Sequence, residues 1–224
     1  MFYKIALDGP SGAGKSSLAK WIAKALGIVY VDTGAMYRTI GLFVTRRGIL
    51  PSDEENVCAV LPEISLSVRY TDGEQHILLN GEDVGGLIRT PEISMAASRV
   101  SAIPAVRAFL LDTQRNLAKS TSVIMDGRDI GTVIFPDAEV KIFLTASPEA
   151  RAQRRTAELA ERGTPTPYEE VLRDIILRDK NDSERAIAPA VAAKDATVLD
   201  NSDLTPEGTL EAAIRIIKAK LGEV

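Results

Sequence analysis

Residues 9–16 combine small side chains with one lysine and a closing serine in the spacing G-x-x-x-x-G-K-S/T. Glycines let the backbone turn tightly, and such a turn can direct several N–H groups at the phosphates of a nucleotide. In this phosphate loop, Lys15 is expected to reach the outer phosphates and Ser16 a magnesium ion. The residues predicted to bind the nucleotide are Gly9, Pro10, Ser11, Gly12, Ala13, Gly14, Lys15, Ser16 and Ser17.

A phosphate loop of this kind connects a buried strand to the start of a helix, so the flanking segments should form these two elements. The apolar run at residues 5–7 predicts a buried strand, and the amphipathic run at residues 17–26, closed by Gly27, predicts a helix. A helix N-terminus adds partial positive charge that favours a bound phosphate. A glycine-rich turn that merely contains a lysine is the alternative, but the flanking elements and the complete spacing favour phosphate binding.

The composition argues against several classes of site. The chain has 224 residues, 45% of them hydrophobic, and a formal net charge of −4, so we expect a globular protein and not a general nucleic-acid binder. Cys58 is the only cysteine and His76 the only histidine, which disfavours disulfides, histidine metal clusters and Ser-His catalysis. His76 lies in a polar stretch and is predicted to be a surface residue. No segment is typical of a secretory signal or a membrane-spanning helix, so we expect a cytoplasmic protein.

Short apolar runs that alternate with helical patterns indicate the fold class. This alternation is typical of a parallel sheet covered by helices. The sequence therefore predicts an α/β protein with a five-stranded parallel sheet and helices on both faces. The predicted strands lie at residues 5–7, 28–31, 123–125, 140–144 and 197–199.

Residues 64–86 depart from this alternation. Leu66, Val68 and Tyr70 alternate with polar residues, a turn is predicted at Asp72-Gly73, and an apolar run follows at residues 77–79. The pattern is that of a hairpin, so a small antiparallel insertion is predicted here.

Several helix starts are predicted from a capping residue followed by proline. A further helix is predicted to begin at Pro51-Ser52, because Ser52 and Glu55 have the spacing of a capping box. The pairs of capping residue and proline are Thr90-Pro91, Ser147-Pro148, Thr166-Pro167 and Thr205-Pro206.

A second polar constellation, Asp126-Gly127-Arg128-Asp129, follows the predicted strand at residues 123–125. Nucleotide enzymes hold magnesium with a carboxylate at the end of a strand beside the phosphate loop, so Asp126 is predicted to support the metal. An ordinary Asp-Gly turn is the alternative. The two carboxylates around one arginine favour a functional role.

Two charged helical segments can be interpreted either as functional sites or as ordinary solvent-exposed helix faces. Arg151, Arg154 and Arg155 share one helix face, either as a solvated face or as an arginine-rich lid that stabilises a transferring phosphoryl group. Residues 178, 182 and 185 share another face, where a plain ladder of ion pairs would give the same spacing.

Together these segments resemble the bacterial cytidylate kinases, a branch of the nucleoside-monophosphate kinase family. The resemblance covers nearly the whole chain. It is carried by residues 7–16, by Asp32-Thr33-Gly34-Ala35-Met36-Tyr37-Arg38, by residues 126–133 with Phe135-Pro136-Asp137-Ala138, and by residues 178–186.

This resemblance implies a single P-loop kinase domain over residues 1–224 with a three-layer fold. It also implies a monophosphate-binding insert at about 34–107, with its antiparallel region at about 64–86, and a helical lid at about 148–170. The implied phosphoryl donor is ATP, the cofactor magnesium and the acceptor CMP or dCMP. The implied protein is a monomer that binds neither nucleic acid nor membrane.

Residue roles follow from the resemblance position by position. Ser98, Arg128 and Asp129 are implied to lie at the cytosine edge, Arg38, Arg107 and Arg128 near the phosphate, and Asp182 with Arg185 at the sugar. The residues implied to be catalytic are Lys15, Arg128, Arg151 and Arg155, and those implied to hold magnesium are Ser16 and Asp126. The residues implied to surround the acceptor are Thr33, Tyr37, Arg38, Ser98, Arg107, Arg128, Asp129, Arg178, Asp182 and Arg185.

The implied reaction is magnesium-dependent transfer of the γ-phosphoryl group of ATP to CMP or dCMP. Another small-metabolite P-loop kinase and a nucleotide-binding regulator without turnover are the alternatives. A GTP-binding switch is disfavoured because the chain contains no Asn-Lys pair for a guanine-reading segment, although Asp83-Val84-Gly85-Gly86 fits the loose Asp-x-x-Gly pattern.

Overall fold

Strands and helices alternate through most of the protein. The computed structural model describes residues 2–71, 74–161 and 163–222. Within these ranges the strands are β1 Lys4–Asp8, β2 Val29–Asp32, β3 Leu66–Thr71, β4 Glu74–Leu79, β5 Glu82–Asp83, β6 Val123–Gly127, β7 Val140–Thr145 and β8 Thr197–Asp200. The α-helices are α1 Lys15–Leu26, α2 Thr33–Arg46, α3 Glu54–Val60, α4 Pro91–Val100, α5 Pro104–Asn116, α6 Pro148–Glu161, α7 Tyr168–Glu184 and α8 Pro206–Leu221.

Two sheets form in the described ranges. The central sheet has five strands in the order β2-β6-β1-β7-β8, and the small sheet has three strands in the order β3-β4-β5. Strand β1 pairs in parallel with β6 and β7, and β7 pairs in parallel with β8. The small sheet is antiparallel. The predicted α/β class, the five-stranded parallel sheet and the antiparallel insertion are therefore confirmed.

The register of the central sheet places polar residues at one edge. Leu7 lies opposite Asp126 and Asp8 opposite Gly127. The apolar residues before them in β1 and β6 are fully buried, and they include Ile5, Ala6, Ile124 and Met125. Because parallel strands end at the same edge, this packing brings the phosphate loop next to Asp126 and the residues that follow it.

The chain divides into two compact units, Met1–Ile28 with Ser122–Val224 and Val29–Thr121. In the first unit α6 and α7 pack on each other through Ala152, Val171 and Ile175. In the second unit α2 packs mainly against α4, and the small sheet contacts α2 through β4. The predicted single domain over residues 1–224 and the boundaries of its insert and lid stay predictions.

Three local details differ from the sequence-based expectations. The helix near Pro51 begins at Glu54 and is capped by Asp53, whose carboxylate accepts from Asn56 N, so the predicted capping box at Ser52 is wrong. Helix α7 begins at Tyr168, and Thr166 donates its hydroxyl to Thr164 O and does not cap the helix. A π-helical turn at Ile130–Ile134 was not predicted. The predicted turn at Asp72-Gly73 lies outside the described residues.

The predicted starts at Thr90 and Thr205 are confirmed, because each hydroxyl accepts a backbone N–H in the first turn of its helix. The hydroxyl of Ser147 likewise accepts from Ala150 N. Within residues 2–71, 74–161 and 163–222, no single helix has the length and apolar character to cross a membrane. Helices α4 and α5 meet those criteria only as a pair bent by 100°.

A glycine is required where the phosphate loop leaves β1. Gly9 has a φ of +147°, and a Cβ atom on it would lie 1.9 Å from Leu144 O in β7. We expect Gly9→Ala to lower the free energy of unfolding by about 3 kcal/mol or more, because the steric clash adds to the backbone strain. Chemical denaturation of the purified variant measures this loss.

Gly48→Ala is the matched control. Gly48 also has a positive φ, +70°, but a Cβ atom there would meet nothing within 4 Å. We expect a loss of about 1 kcal/mol, from backbone strain alone. Equal losses in the two variants would show that the approach of Gly9 to β7 does not limit the fold.

Candidate active site

The carbonyl groups of the phosphate loop accept hydrogen bonds from three side chains. Lys15 Nζ donates to Pro10 O at 2.6 Å, Arg151 Nη1 to Ser11 O at 2.9 Å, and Asn201 Nδ2 to Ala13 O at 3.1 Å. Since these donors engage the carbonyl side of the loop, its N–H groups can converge on an anion. The loop thus has the geometry of a phosphate cradle at the N-terminus of α1.

Arg151 is a buried anchor of the loop. Its side chain is 3% exposed, its Nε donates to Ala146 O at 2.9 Å, and its two terminal nitrogens pair with Asp179 at 3.1 and 2.5 Å. The same guanidinium makes the bond to Ser11 O. These contacts are those of a residue that positions the loop, and the predicted catalytic role of Arg151 stays a prediction.

The neighbouring arginines of α6 have different partners. Arg154 donates to Asn201 Oδ1 at 3.1 Å and to Asn201 O at 2.6 Å, and thereby holds the asparagine that contacts Ala13. Arg155 pairs with Glu158 at 2.8 Å, and both side chains are about one third or more exposed. Arg155 therefore has the more accessible guanidinium of the two arginines predicted to be catalytic in this helix.

Ser16 and Asp126 meet beside the loop. Ser16 Oγ donates to Asp126 Oδ2 at 2.7 Å, and Asp126 is 4% exposed. Hydroxyl and carboxylate oxygens are the hard ligands that magnesium prefers, with water and phosphate oxygens completing its shell. Among the described residues no group of three His, Cys, Asp or Glu side chains could hold a metal by itself. The pair Ser16 and Asp126 fits a magnesium ion that is also bound by a nucleotide.

Lys15 lies in a crowded electrostatic environment. Burial and the positive charge of Arg128 lower the pKa of Lys15 well below its ordinary value, although Asp126 and Asp8 act in the opposite direction. A phosphate group next to Lys15 would favour the ammonium form, because opposite charges stabilise each other. An anionic ligand beside Lys15 would therefore stabilise the charged form of its side chain.

A cluster of arginines and carboxylates lies beyond the end of β6. Asp182 Oδ2 accepts from Arg128 Nε at 3.1 Å and lies 4.0 Å from Arg178 Nε, while Arg185 Nη2 lies 3.7 Å from Asp129 Oδ1. Burial raises the pKa of Asp182, but the charges of Arg128 and Arg178 outweigh burial and leave that pKa below its ordinary value. The structure therefore brings together all five predicted acceptor residues of the first unit.

The second unit holds the other predicted acceptor residues. Asp32 caps α2 by accepting from Ala35 N at 2.9 Å and pairs with Arg38 Nη2 at 2.7 Å. The Arg107 guanidinium lies 5.6 Å from the centre of the Tyr37 ring. Thr33, Tyr37 and Arg107 are buried and Ser98 is half-buried in α4.

A pocket of about 390 Å³ lies in the first unit beside the phosphate loop. Pro10 of the loop lines it, together with Arg151, Asp179 and Asp182. The pocket therefore lies between Arg151, which anchors the loop, and Asp182 of the arginine and carboxylate cluster.

Sequence reasoning missed several residues of the site. Asn201 belongs to no local motif, and Asp179 lies within the segment 178–186 but was given no role of its own. Both act through contacts with residues far away in the chain. Asp8 offered a signal, because it directly precedes the loop. Its carboxylate accepts from Ile130 N at 2.8 Å and from Gly131 N at 2.7 Å, so it ties the end of β1 to the turn that carries Asp129.

The buried Asp8 carboxyl predicts a pH dependence of stability. Burial above all, and the charge of Asp129 in addition, raise the pKa of Asp8 from 3.8 to about 6. Between these values the folded protein binds more protons than the unfolded chain, so the contribution of Asp8 to stability is present below pH 3.8 and is lost as the pH rises through 6.

Asp8→Asn removes this titration. We expect the free energy of unfolding of the variant, minus that of the unmodified protein, to rise by up to about 3 kcal/mol between pH 4 and pH 7. Denaturant unfolding at each pH measures the difference, in which the other titrating groups largely cancel. A difference that stays flat with pH would contradict the raised pKa.

Comparison with known proteins agrees with this geometry. The family model described as cytidylate kinase matches residues 5–219. The chain is 49% identical over 217 residues to a cytidylate kinase from Thermosipho melanesiensis, and the match covers 97% of each protein. It is 50% identical over 215 residues to a cytidylate kinase from Caldanaerobacter subterraneus, covering 96% of this chain and 94% of the relative.

Solved structures add a likeness of fold. A shikimate kinase from Bacteroides thetaiotaomicron superposes with a TM-score of 0.51 and 16% identity, and the match covers 99% of each chain. At that identity the likeness concerns the fold alone. The family match and the close relatives carry the assignment, and the chain belongs to the cytidylate kinase family.

Proposed function

We propose that this protein transfers the γ-phosphoryl group of ATP to CMP or dCMP and releases ADP with CDP or dCDP. The observation that carries the proposal is the cluster of Arg128, Asp129 and Asp182. Its first two residues directly follow β6, and β6 pairs with β1, the strand that leads into the phosphate loop. Membership of the cytidylate kinase family supports cytosine as the acceptor base.

On the donor side, residues 9–17 bind the phosphates of ATP. Lys15 neutralises charge on the outer phosphates, and Ser16 with Asp126 holds the magnesium ion. The hydrogen bond of 2.7 Å between Ser16 and Asp126 supports this role, because it places two oxygen ligands together. Magnesium supplies charge neutralisation for the phosphoryl group while the protein positions the groups that react.

On the acceptor side, Arg128 and Asp129 contact the cytosine edge, together with Ser98. An arginine and a carboxylate supply donors and an acceptor, which suits a base whose amino group donates while its ring nitrogen and carbonyl accept. Uracil presents an acceptor in place of that amino group, so a site that bonds the amino group discriminates strongly against uracil.

The phosphate and sugar of the acceptor are assigned to further residues. Arg38, Arg107 and Arg128 bind the phosphate, and Asp182 with Arg185 binds the sugar hydroxyls. Thr33, Tyr37 and Arg178 complete the acceptor contacts. Burial of Tyr37 and Arg107 and the ion pair of Arg38 with Asp32 support these roles, because such side chains are held in defined orientations.

The chemistry requires no strong general base. An oxygen of the acceptor phosphate is itself the nucleophile, so a chain with a single histidine can catalyse the transfer. The new bond forms between this oxygen and the γ-phosphorus as the bond to ADP breaks. Lys15, Arg128, Arg151 and Arg155 are the candidates that stabilise the developing charge, two of them from the proposed lid at about residues 148–170.

Acceptor-dependent ADP production tests the function. The purified protein is mixed with ATP, magnesium and each nucleoside monophosphate in turn, and we expect turnover with CMP and dCMP. Turnover with another acceptor in preference to CMP would identify a different small-metabolite kinase. Binding of ATP without acceptor-dependent turnover would identify a regulator.

The proposal extends to the setting of the enzyme. We infer a monomer in the cytoplasm that acts on free nucleotides and on neither nucleic acid nor membranes. The formal net charge of −4 supports the absence of nucleic-acid binding. Light scattering on the purified protein measures the oligomeric state.

Lys15→Ala is expected to lower kcat about a hundredfold or more, because the variant cannot neutralise charge in the transition state. The fold should persist, since the hydrogen bond of Lys15 within the described residues is a local one to Pro10 O. Steady-state kinetics and thermal unfolding measure the two effects. Lys24→Ala, an exposed change in the last turn of the same helix, is the control and should keep normal turnover. A near-normal kcat for Lys15→Ala would contradict the proposed role.

Asp129→Ala is expected to raise KM for CMP about tenfold or more with little effect on KM for ATP, because only the acceptor loses a recognition contact. Initial rates with each substrate varied in turn measure both constants. The exposed Asp203→Ala is the matched control. Equal increases in the two KM values would argue against Asp129 as a base-reading residue.

A further inference from the structure

The small antiparallel sheet contacts the start of α2 through the side chain of Gln75. The Asp32 backbone N–H donates to Gln75 Oε1 at 2.8 Å, and Gln75 Nε2 donates back to Asp32 O at 3.3 Å. Gln75 lies in β4 opposite Tyr70 of β3. A single amide side chain thus pairs with both backbone polar groups of one residue, as a neighbouring strand would.

Asp32, whose backbone is held by Gln75, in turn holds the side chain of Arg38. Its Oδ1 accepts from Ala35 N at 2.9 Å and its Oδ2 from Arg38 Nη2 at 2.7 Å, and the residue is 6% exposed. One carboxylate therefore caps α2 and orients a guanidinium at the same time. Because both bonds are short and the carboxylate is buried, a shift of the Asp32 backbone must also shift Arg38.

The space around this carboxylate is tight. A Cβ atom on Gly34 would lie 3.0 Å from Arg38 Nη1 and 3.1 Å from Asp32 Oδ1. The ion pair therefore lies directly over the first turn of α2. This close fit leaves the pair little freedom to adjust if the backbone of Asp32 moves.

We propose that Gln75 is a positioning residue for the acceptor phosphate, and that the small sheet acts on acceptor binding through it. Gln75 holds the Asp32 backbone, Asp32 holds Arg38, and Arg38 binds the phosphate. The last step rests on the proposed function, whereas the first two are contacts in the second unit. The small sheet thereby has a role in substrate affinity, although none of the residues in its three strands is assigned to a contact with the substrate.

Gln75→Met tests the proposal, because methionine keeps the length of the side chain and removes both hydrogen bonds. We expect KM for CMP to rise about tenfold, as befits the loss of one to two hydrogen bonds. KM for ATP and kcat should stay within about twofold, since the donor contacts are untouched. Gln75→Asn, which is one methylene too short to reach Asp32, should show the same pattern.

His76→Ala is the control. His76 is the next residue in β4, points to the other face of the sheet, and lies 2.8 Å from Asp83 through its Nδ1. We expect its KM values to be unchanged. An equal rise of KM for CMP in this variant would show that any damage to the sheet weakens acceptor binding, which would overturn the specific role of Gln75.

A double-mutant cycle separates positioning from a general structural role. If Gln75 acts through Arg38, then Gln75→Met should have no further effect on KM for CMP in a protein that already carries Arg38→Ala. Independent multiplication of the two effects would overturn the proposal. Thermal unfolding of each variant accompanies the kinetics and identifies any loss of fold.

The outcomes distinguish this inference from the proposed function. No CMP-dependent turnover in the unmodified protein would refute the proposed function. Normal turnover with an unchanged KM for CMP in Gln75→Met and Gln75→Asn would refute the role of Gln75 alone. An unchanged KM in Arg38→Ala would remove Arg38 from the phosphate site and this inference with it.

Discussion

The phosphate loop is held in place from the outside, by side chains that bind its carbonyl groups. Arg151 on α6 binds Ser11 O, and Asn201 beyond β8 binds Ala13 O while Arg154 holds Asn201 in turn. The backbone at Gly9 meanwhile packs against β7 so closely that no side chain fits there. A loop rich in glycine and other small residues has little conformational preference, so these contacts determine the direction of its N–H groups.

Buried charge is the second organising feature, and it is compensated in two ways. Backbone N–H groups satisfy Asp8, whereas guanidinium groups satisfy Asp182 and Asp129. The pKa of Asp8 is raised while that of Asp182 is lowered, because burial prevails at Asp8 and the charge of the arginines prevails at Asp182. One carboxylate thus serves to connect backbone segments and the other to hold cations in place.

Patterns within short segments predicted the fold well, because strand burial and helix capping depend mainly on residues that are close together in the sequence. The alternation of apolar runs indicated the sheet, and the threonine hydroxyls at Thr90 and Thr205 cap their helices as expected. The prediction that Ser52 caps a helix was wrong because Asp53, one residue later, is the capping residue. The contacts of Asn201 with Ala13 and of Gln75 with Asp32 join residues 188 and 43 positions apart, and no periodicity within a single segment carries such information.

His76 was predicted to be a surface residue, and its side chain is 40% exposed on β4. It is the only histidine of the chain and lies directly next to Gln75. Its imidazole protons therefore give a proton NMR signal that requires no isotope labelling and no assignment by mutation. The second unit thus contains its own spectroscopic reporter, which follows the small sheet while nucleotides are titrated.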